Sequence, residues 1–396
     1  MAEPLPPRRG EMARQFALLG LTAFGGPTAH LAFFRERFVQ RLRWINEAQY
    51  ANIVALCQVL PGPASSQVGL LLGYTWGGHL GAFIAWLCFT LPSAILMAAF
   101  AWSLNQWAWP PALLQGLKIA ALAVVCQALW GMAHSLCPDA PRRFMAALAT
   151  LALLVAPTPW AQAAVMLACG AWMVWRGPPT PSASHSNTRP TSSTWRLWWL
   201  ALIVVLMGSA AWAALSGQAA AQQVAALLRV GASVFGGGHV VLPMLQAEFV
   251  APGWVDAERF QAAYGAAQAL PGPLFTFAAF LGADANAGLH GAWGAAIATV
   301  AIFLPAYLLV MACWPLWHAL QRAPRVQAAL AGVNAAVVGV LAATALNPML
   351  GQSVHRPLDA ALLLLAIAAL VVRRSHPLAV IAACLLLRGL ASELGL

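Results

Sequence analysis

Charge is what this sequence has least of. Only 8% of its 396 residues are Asp, Glu, Lys or Arg, against roughly a quarter in a soluble globular domain. The acids number just 11. No GxxxxGK[ST] phosphate loop occurs, which argues against direct ATP hydrolysis. The seven cysteines, at 57, 88, 126, 137, 169, 313 and 384, form no CxxC pair and no Cys/His set with zinc spacing. They read as buried free thiols, and neither a metal nor another cofactor is expected. No small-residue cleavage site follows an apolar core at the N-terminus, so no removable signal peptide is expected. A membrane-embedded enzyme would need a nucleophile–base pair, and none is grouped here.

What fills the chain instead is apolar. Hydrophobic residues make up 61%, in runs such as 80–100, 117–130, 143–155, 197–214 and 295–311. Several approach the ~20 residues that cross a bilayer core, and the shorter ones must be tilted, re-entrant or buried among neighbours. No soluble fold hides this much apolar surface. The fold class is therefore all-α and polytopic, with the lipid bilayer as its surroundings. The net charge of +10 is not gathered on one face, so nucleic acid is not an expected partner.

An internal repeat is visible. Phe24-Gly25-Gly26-Pro27 returns as Phe235-Gly236-Gly237-Gly238, and Trp44 as Trp254. Gln58 to Pro63 returns as Gln268 to Pro273, and Leu91-Pro92 as Leu304-Pro305, at an offset of 210–213 residues. Two related units thus span 12–176 and 216–396. Between them lie a Pro/Ser/Thr-rich linker at 177–194 and one extra apolar segment at 195–215. One added crossing turns the second copy over in the membrane.

The charges agree. The loop 35–47 sums to +2 and its counterpart 248–259 to −2, while 103–111 is uncharged and its counterpart 318–325 carries Arg322 and Arg325. Lys and Arg stay on the cytoplasmic side, which places 1–14, 35–47, 136–143, 176–196, 319–325 and 373–376 inside. Sixteen of the 21 basic residues then face the cytoplasm. The expectation is two inverted-topology repeats in a bacterial inner membrane, with the N-terminus cytoplasmic and the C-terminus periplasmic. About nine full spans plus paired half-helices, up to about thirteen segments, would account for the apolar residues. Inverted repeats with matched helix breaks are the architecture of secondary transporters.

Each half is broken twice: at Gly25-Gly26-Pro27 and Pro61-Gly62-Pro63, and at Gly236-Gly237-Gly238 and Pro271-Gly272-Pro273. Non-helical backbone at membrane depth survives only in a protein interior or against water. A helix restarting after such a break offers unpaired amides and a partial positive charge, which suits an anion with several acceptor oxygens. Ser65, Ser66 and Thr276 would add hydroxyls and Gln67 an amide, with Phe275 beside Thr276. Thr28 and His239 stand at equivalent places after the glycine breaks. Lys118, whose counterpart is Asn334, would supply one positive charge to a quasi-symmetric core, and Arg229 is a second cation in an apolar segment. His30, His239, Asp284 and Glu11 are the titratable candidates for proton coupling.

These residues resemble the chromate ion transporter family in its long two-domain form. The likeness rests on 24–30, Arg37-Phe38-Val39, Trp44 and 60–67 in the first half. In the second it rests on 235–238, Gly253-Trp254, 267–277, 301–305 and 332–339. It covers about 12–176 and 215–350; Ser66, where the family suggests Thr, and His239 depart from it. The resemblance implies export of chromate, giving chromate resistance, with sulfate as mimic and competitor. Uptake or exchange of sulfate or another oxyanion on the same scaffold, a channel, and association as a homodimer stay open.

Overall fold

Proline and glycine decide where the helices stop. Leu60 and Leu270 are extended, with ψ of 148° and 147°, because the following proline ring excludes the helical conformation. Asn46 and Asp256 begin the helices that run into these breaks. The Asn46 side chain accepts from the Gln49 amide at 2.9 Å, and Asp256 accepts from those of Glu258 and Arg259. Both satisfy orphan donors of a first turn.

The computed structural model describes residues 7–24, 26–156, 158–177, 195–235, 240–317, 323–373 and 375–394. No strand occurs among them. The first half contains α1 (Arg9–Thr22), α2 (Gly26–Phe34) with a π-helical continuation Arg35–Arg41, α3 (Glu47–Val59), α4 (Ala64–Gln106), α5 (Pro111–Leu136), α6 (Ala140–Val155) and α7 (Pro159–Trp175). Helix α8 (Trp195–Ser216) follows the linker. The second half contains α9 (Ala219–Ser233), α10 (Val241–Phe249), α11 (Ala257–Ala269), a 3-10 turn Leu274–Thr276 entering α12 (Phe277–Asp284), α13 (Gly291–Cys313), α14 (Pro324–Thr344), α15 (Pro357–Val371) and α16 (Pro377–Glu393).

Helix α4 is two arms. Gly77 and Gly78 leave helical torsions, Gly78 at φ 62°, and the chain doubles back. Gly73 and Gly81 then meet so closely that a Cβ on Gly81 would lie 2.2 Å from the Gly73 carbonyl oxygen. Helices α12 and α13 repeat this contact through Gly282 and Gly294. In a membrane, where apolar surface is no cheaper to bury than to leave in lipid, such small-residue approaches carry helix packing.

Helices α1, α3, α9 and α11 have 14, 13, 15 and 13 residues. At 1.5 Å per residue each reaches about 20 Å, short of the ~30 Å hydrocarbon core. Helices α3 and α11 end at Pro61-Gly62-Pro63 and Pro271-Gly272-Pro273, where the chain turns. The rings of Phe16, Phe38, Trp44 and Trp76 gather where the first-half hairpins begin and end, Phe16 and Phe38 at 5.0 Å. In the second half Gln223 accepts from the Leu289 amide, and Asn286 donates to the Trp254 carbonyl. The long arm of α4 starts beside that aromatic cluster, at the open end, or base, of the first-half hairpins. It ends near Asn105, hydrogen-bonded to Arg259 and Asp284 at the base of the second-half hairpins. Helix α13 runs the opposite way, its Tyr307 hydroxyl 2.7 Å from His79 Nδ1. The two hairpin pairs therefore enter from opposite ends of these long arms.

The outer layer is exchanged between halves. Helix α5 packs against α15 and α16, and α14 against α6 and α7. Gly116 abuts the Cys384 carbonyl in one contact and Gly332 the Cys169 carbonyl in the other.

Among the described residues five stretches are long and apolar enough to cross a membrane: 64–106, 111–136, 195–216, 291–316 and 324–353. The expected nine full crossings exceed this number. The four breaks cut potential spans into half-helices, and α6, α7, α15 and α16 are only 15–17 residues long.

Candidate functional site: the hairpin tips

Each Pro-Gly-Pro break meets a segment of the opposite half. The Gly62 amide donates to the Val234 carbonyl at 2.6 Å, and the Gly272 amide donates to the Ala23 carbonyl at 2.9 Å. Each Pro-Gly-Pro loop is thus closed by the residue two places before the other half's glycine break. An unpaired amide at this depth would cost several kcal/mol, so the reciprocal bonds are what make the breaks tolerable. Both glycines hold positive φ, 115° and 94°, open to a residue without Cβ.

His30 joins the two pairs. Its ring is 1% exposed, with Nε2 3.1 Å from the Ala23 carbonyl and Nδ1 3.3 Å from Ser65 Oγ. Ala23 therefore receives both the Gly272 amide and the imidazole, while Ser65 belongs to the helix that restarts after Pro63. Phe89 meets the ring edge-on at 5.4 Å.

At that restart the first helical bond runs from the Gln67 amide to the Pro63 carbonyl, 2.9 Å. The amides of Ala64, Ser65 and Ser66 precede it and have no intrahelical acceptor. Ser66 Oγ is buried with no partner among the described residues. Two expected donors are already committed. Gln67 Nε2 donates to the Pro61 carbonyl at 2.7 Å and staples its own loop. Thr276 donates its hydroxyl hydrogen to the Pro273 carbonyl at 2.7 Å, within the 3-10 turn that replaces a clean α-helical start. The two restarts are not equivalent: only the first leaves hydroxyl and amide donors together. Phe275, at the place of Ser65, is buried and packs its ring 5.9 Å from Phe303.

Lys118 is not at the breaks. Although 4% exposed, it pairs with Glu258 at 3.5 Å, and Glu258 lies 13 residues before Pro271, about 20 Å along α11. The expected central cation is therefore already paired, with a carboxylate in the first turn of α11. Asn334 is half-buried on α14, where Gly332 and Val333 contact α7. Arg229 pairs with Glu248 at 2.9 Å, and Asp284 with Arg259. Glu11 is exposed on the first turn of α1. None of these reaches a tip. Gly25, Gly236, Gly237, Gly238 and His239 lie outside the described residues, as do the side chains of Pro27 and Thr28.

One contact had no sequence signal. The ring of His376, in the turn between α15 and α16, stands 6.2 Å from Phe24 beside the first break. A cavity of about 900 Å3 lies along the other side, between the long arm of α4 and α13. Its polar end holds Asn105, Asp284 and His290, and Thr90 lines it one turn before Ser93, which abuts Gly272. Among the described residues no three His, Cys, Asp or Glu side chains are grouped to share a metal ion.

Comparison with known proteins gives a consistent picture. The family model described as Chromate transporter matches residues 10–174 and 221–389. A chromate transport protein of Pseudomonas aeruginosa is 29% identical over 364 residues, covering 87% of this chain and 82% of its own. A chromate transport protein of Cupriavidus metallidurans is 28% identical, covering 84% and 80%. A probable chromate transport protein of Synechococcus elongatus is 27% identical, covering 87% and 85%. No solved structure matches the chain.

Proposed function

The chain belongs to the chromate transporter family, and on that footing we propose that it is a secondary transporter, not an enzyme, carrying chromate out of the bacterial cytoplasm. The anion binds as a dianion between the hairpin tips. Its ligands are the amides of Ala64, Ser65 and Ser66 and the Ser66 hydroxyl, at the positive end of the first arm of α4. The observation that carries this reading is the reciprocal pair Gly62–Val234 and Gly272–Ala23. It ties each Pro-Gly-Pro loop to the other half, and among the described residues the restart after Pro63 keeps hydroxyl and amide donors together.

We further read the halves as inverted repeats, the first entered from the cytoplasm and the second from the periplasm. The opposite entry of the hairpins, the exchanged outer helices and the two matched family blocks support this. Alternating access then follows from one half rocking against the other around the tips. Reporters inserted near residues 40 and 253 should signal from opposite sides of the membrane. Same-side signals would reject the inversion.

The direct test loads inside-out vesicles containing the protein with radiolabelled chromate, with and without excess sulfate. Uptake into these vesicles that sulfate suppresses is expected. Uptake only into right-side-out vesicles would reverse the direction. Ser66→Ala removes a hydrogen bond to a charged ligand, worth about 1.5–3 kcal/mol, so chromate affinity should fall about 10- to 100-fold at unchanged abundance. Lys118→Met should leave affinity within about twofold, because the Lys118 ammonium is already committed to Glu258; a larger loss would return Lys118 to the binding site.

A further inference from the structure

We propose that His30 is the proton site of this transporter: protonating its imidazole turns the Ser65 hydroxyl from a donor to His30 into a donor to the anion, so proton and anion bind together. The inference rests on the tip site as the place where the anion binds.

The argument is one of hydrogen counting. The Ala23 carbonyl can only accept, so the imidazole nitrogen facing it, Nε2, carries a hydrogen. A neutral ring then presents a lone pair at Nδ1, and the contact to Ser65 Oγ requires Ser65 to donate. In that state Ser65 offers an anion only lone pairs, next to the free donors of Ser66 and the α4 amides. A proton taken from solution onto Nδ1 reverses the contact. Nδ1–H donates, Ser65 Oγ accepts, and the hydroxyl hydrogen is free to turn toward the site. The anion gains one donor and a positive charge one hydrogen bond behind it. With the anion taken up as the dianion, no other group in the exchange changes protonation.

The groups packed around His30 leave the ring to this role. On α4 it faces Ser65 and Phe89, and the titratable Tyr74, His79 and Cys88 lie further along that helix, His79 held by Tyr307. On α3, Tyr50 donates its hydroxyl to the Leu31 carbonyl and Cys57 is a free thiol. On the π-helical continuation of α2, Arg35 pairs with Glu47 from the start of α3, Arg41 with Glu36, and Arg37 donates to Gln15. On α1, Arg9, Glu11 and Arg14 are exposed toward the base. No carboxylate contacts the ring among the described residues. The second half has Val241 and Phe275 at the corresponding positions, so the device exists once per chain. One proton with one dianion leaves a net charge of −1, which an inside-negative potential still drives outward.

Binding of chromate to the purified full chain, measured by calorimetry between pH 6 and 8.5, tests this. Chromate's own protonation is common to all variants and cancels in their ratios. The wild-type advantage over His30→Gln should grow toward low pH, by up to about tenfold per pH unit while His30 titrates, since proton and anion affinities are reciprocally linked. Ser65→Ala should flatten the profile in the same way. In wild type, heats in two buffers of different ionisation enthalpy should report proton uptake with each anion bound, and His30→Gln should abolish it. Wild-type binding without proton uptake overturns the proposal even if His30→Gln fails to fold. Parallel profiles with Ser66→Ala still impaired would sink the proton site alone. Full binding by Ser66→Ala and Ser65→Ala would sink the tip site itself.

Discussion

Gly272→Ala is expected to abolish chromate transport while leaving the protein in the membrane. A Cβ there would lie 2.7 Å from Ser93 Oγ, 3.1 Å from Ser93 Cβ and 3.4 Å from the Gly20 carbonyl. The backbone sits at φ 94°, a region costing a non-glycine residue about 1–3 kcal/mol. The loop must move, and moving it breaks the bond to Ala23 that also orients His30. Displacing a binding loop by about 1 Å commonly costs around 100-fold, so resistance conferred on a sensitive host should disappear. Gly131→Ala, on an open stretch of α5 with nothing within 4 Å, is the matched control and should transport normally. Adding Ser93→Gly to Gly272→Ala removes the obstructing side chain and should return part of the activity. Normal transport by Gly272→Ala at normal abundance would show that the anion does not pass the tips.

The second large effect concerns stability. Asp359 and Arg388 are 1% and 9% exposed and meet at 3.0 Å between α15 and α16. The other Asp359 oxygen accepts the amides of His355 and Arg356 and so caps α15. Arg388→Met leaves a buried carboxylate without its cation, a change of about 3–5 kcal/mol when one partner of such a pair is lost. The melting temperature in detergent should fall sharply, with abundance falling alongside. Combining it with Asp359→Asn removes the stranded charge and should recover more than half of the loss. A double variant no more stable than Arg388→Met would disprove the coupling.

Much of the tip geometry was legible in the sequence because proline and glycine act locally. A Pro-Gly-Pro at matched positions forces a break whatever surrounds it, and Asn46 and Asp256 mark the starts of the helices that lead there. What was not legible depends on distance. Lys118 sits in an apolar run, and nothing in that run says its partner is Glu258, at the base of a helix in the other half. Gln67 and Thr276 are donors by residue type, but whether a donor is free depends on a carbonyl a few residues away whose direction the torsions set. The doubling back at Gly77–Gly78 is hidden because apolar residues continue on either side. His30 was one of four titratable candidates; only its double contact with Ala23 and Ser65 separates it from the rest.

The crossed amide bonds have a consequence for synthesis. When the ribosome has finished residue 62, the acceptor that its amide needs is still 172 residues from being made. The first half must therefore wait in the membrane with an open polar loop, sheltered by lipid headgroups, water or insertion machinery, until Val234 arrives. Severing the chain within 178–194 should be tolerated when both pieces are co-expressed, whereas either piece alone should be degraded as an unfinished fold.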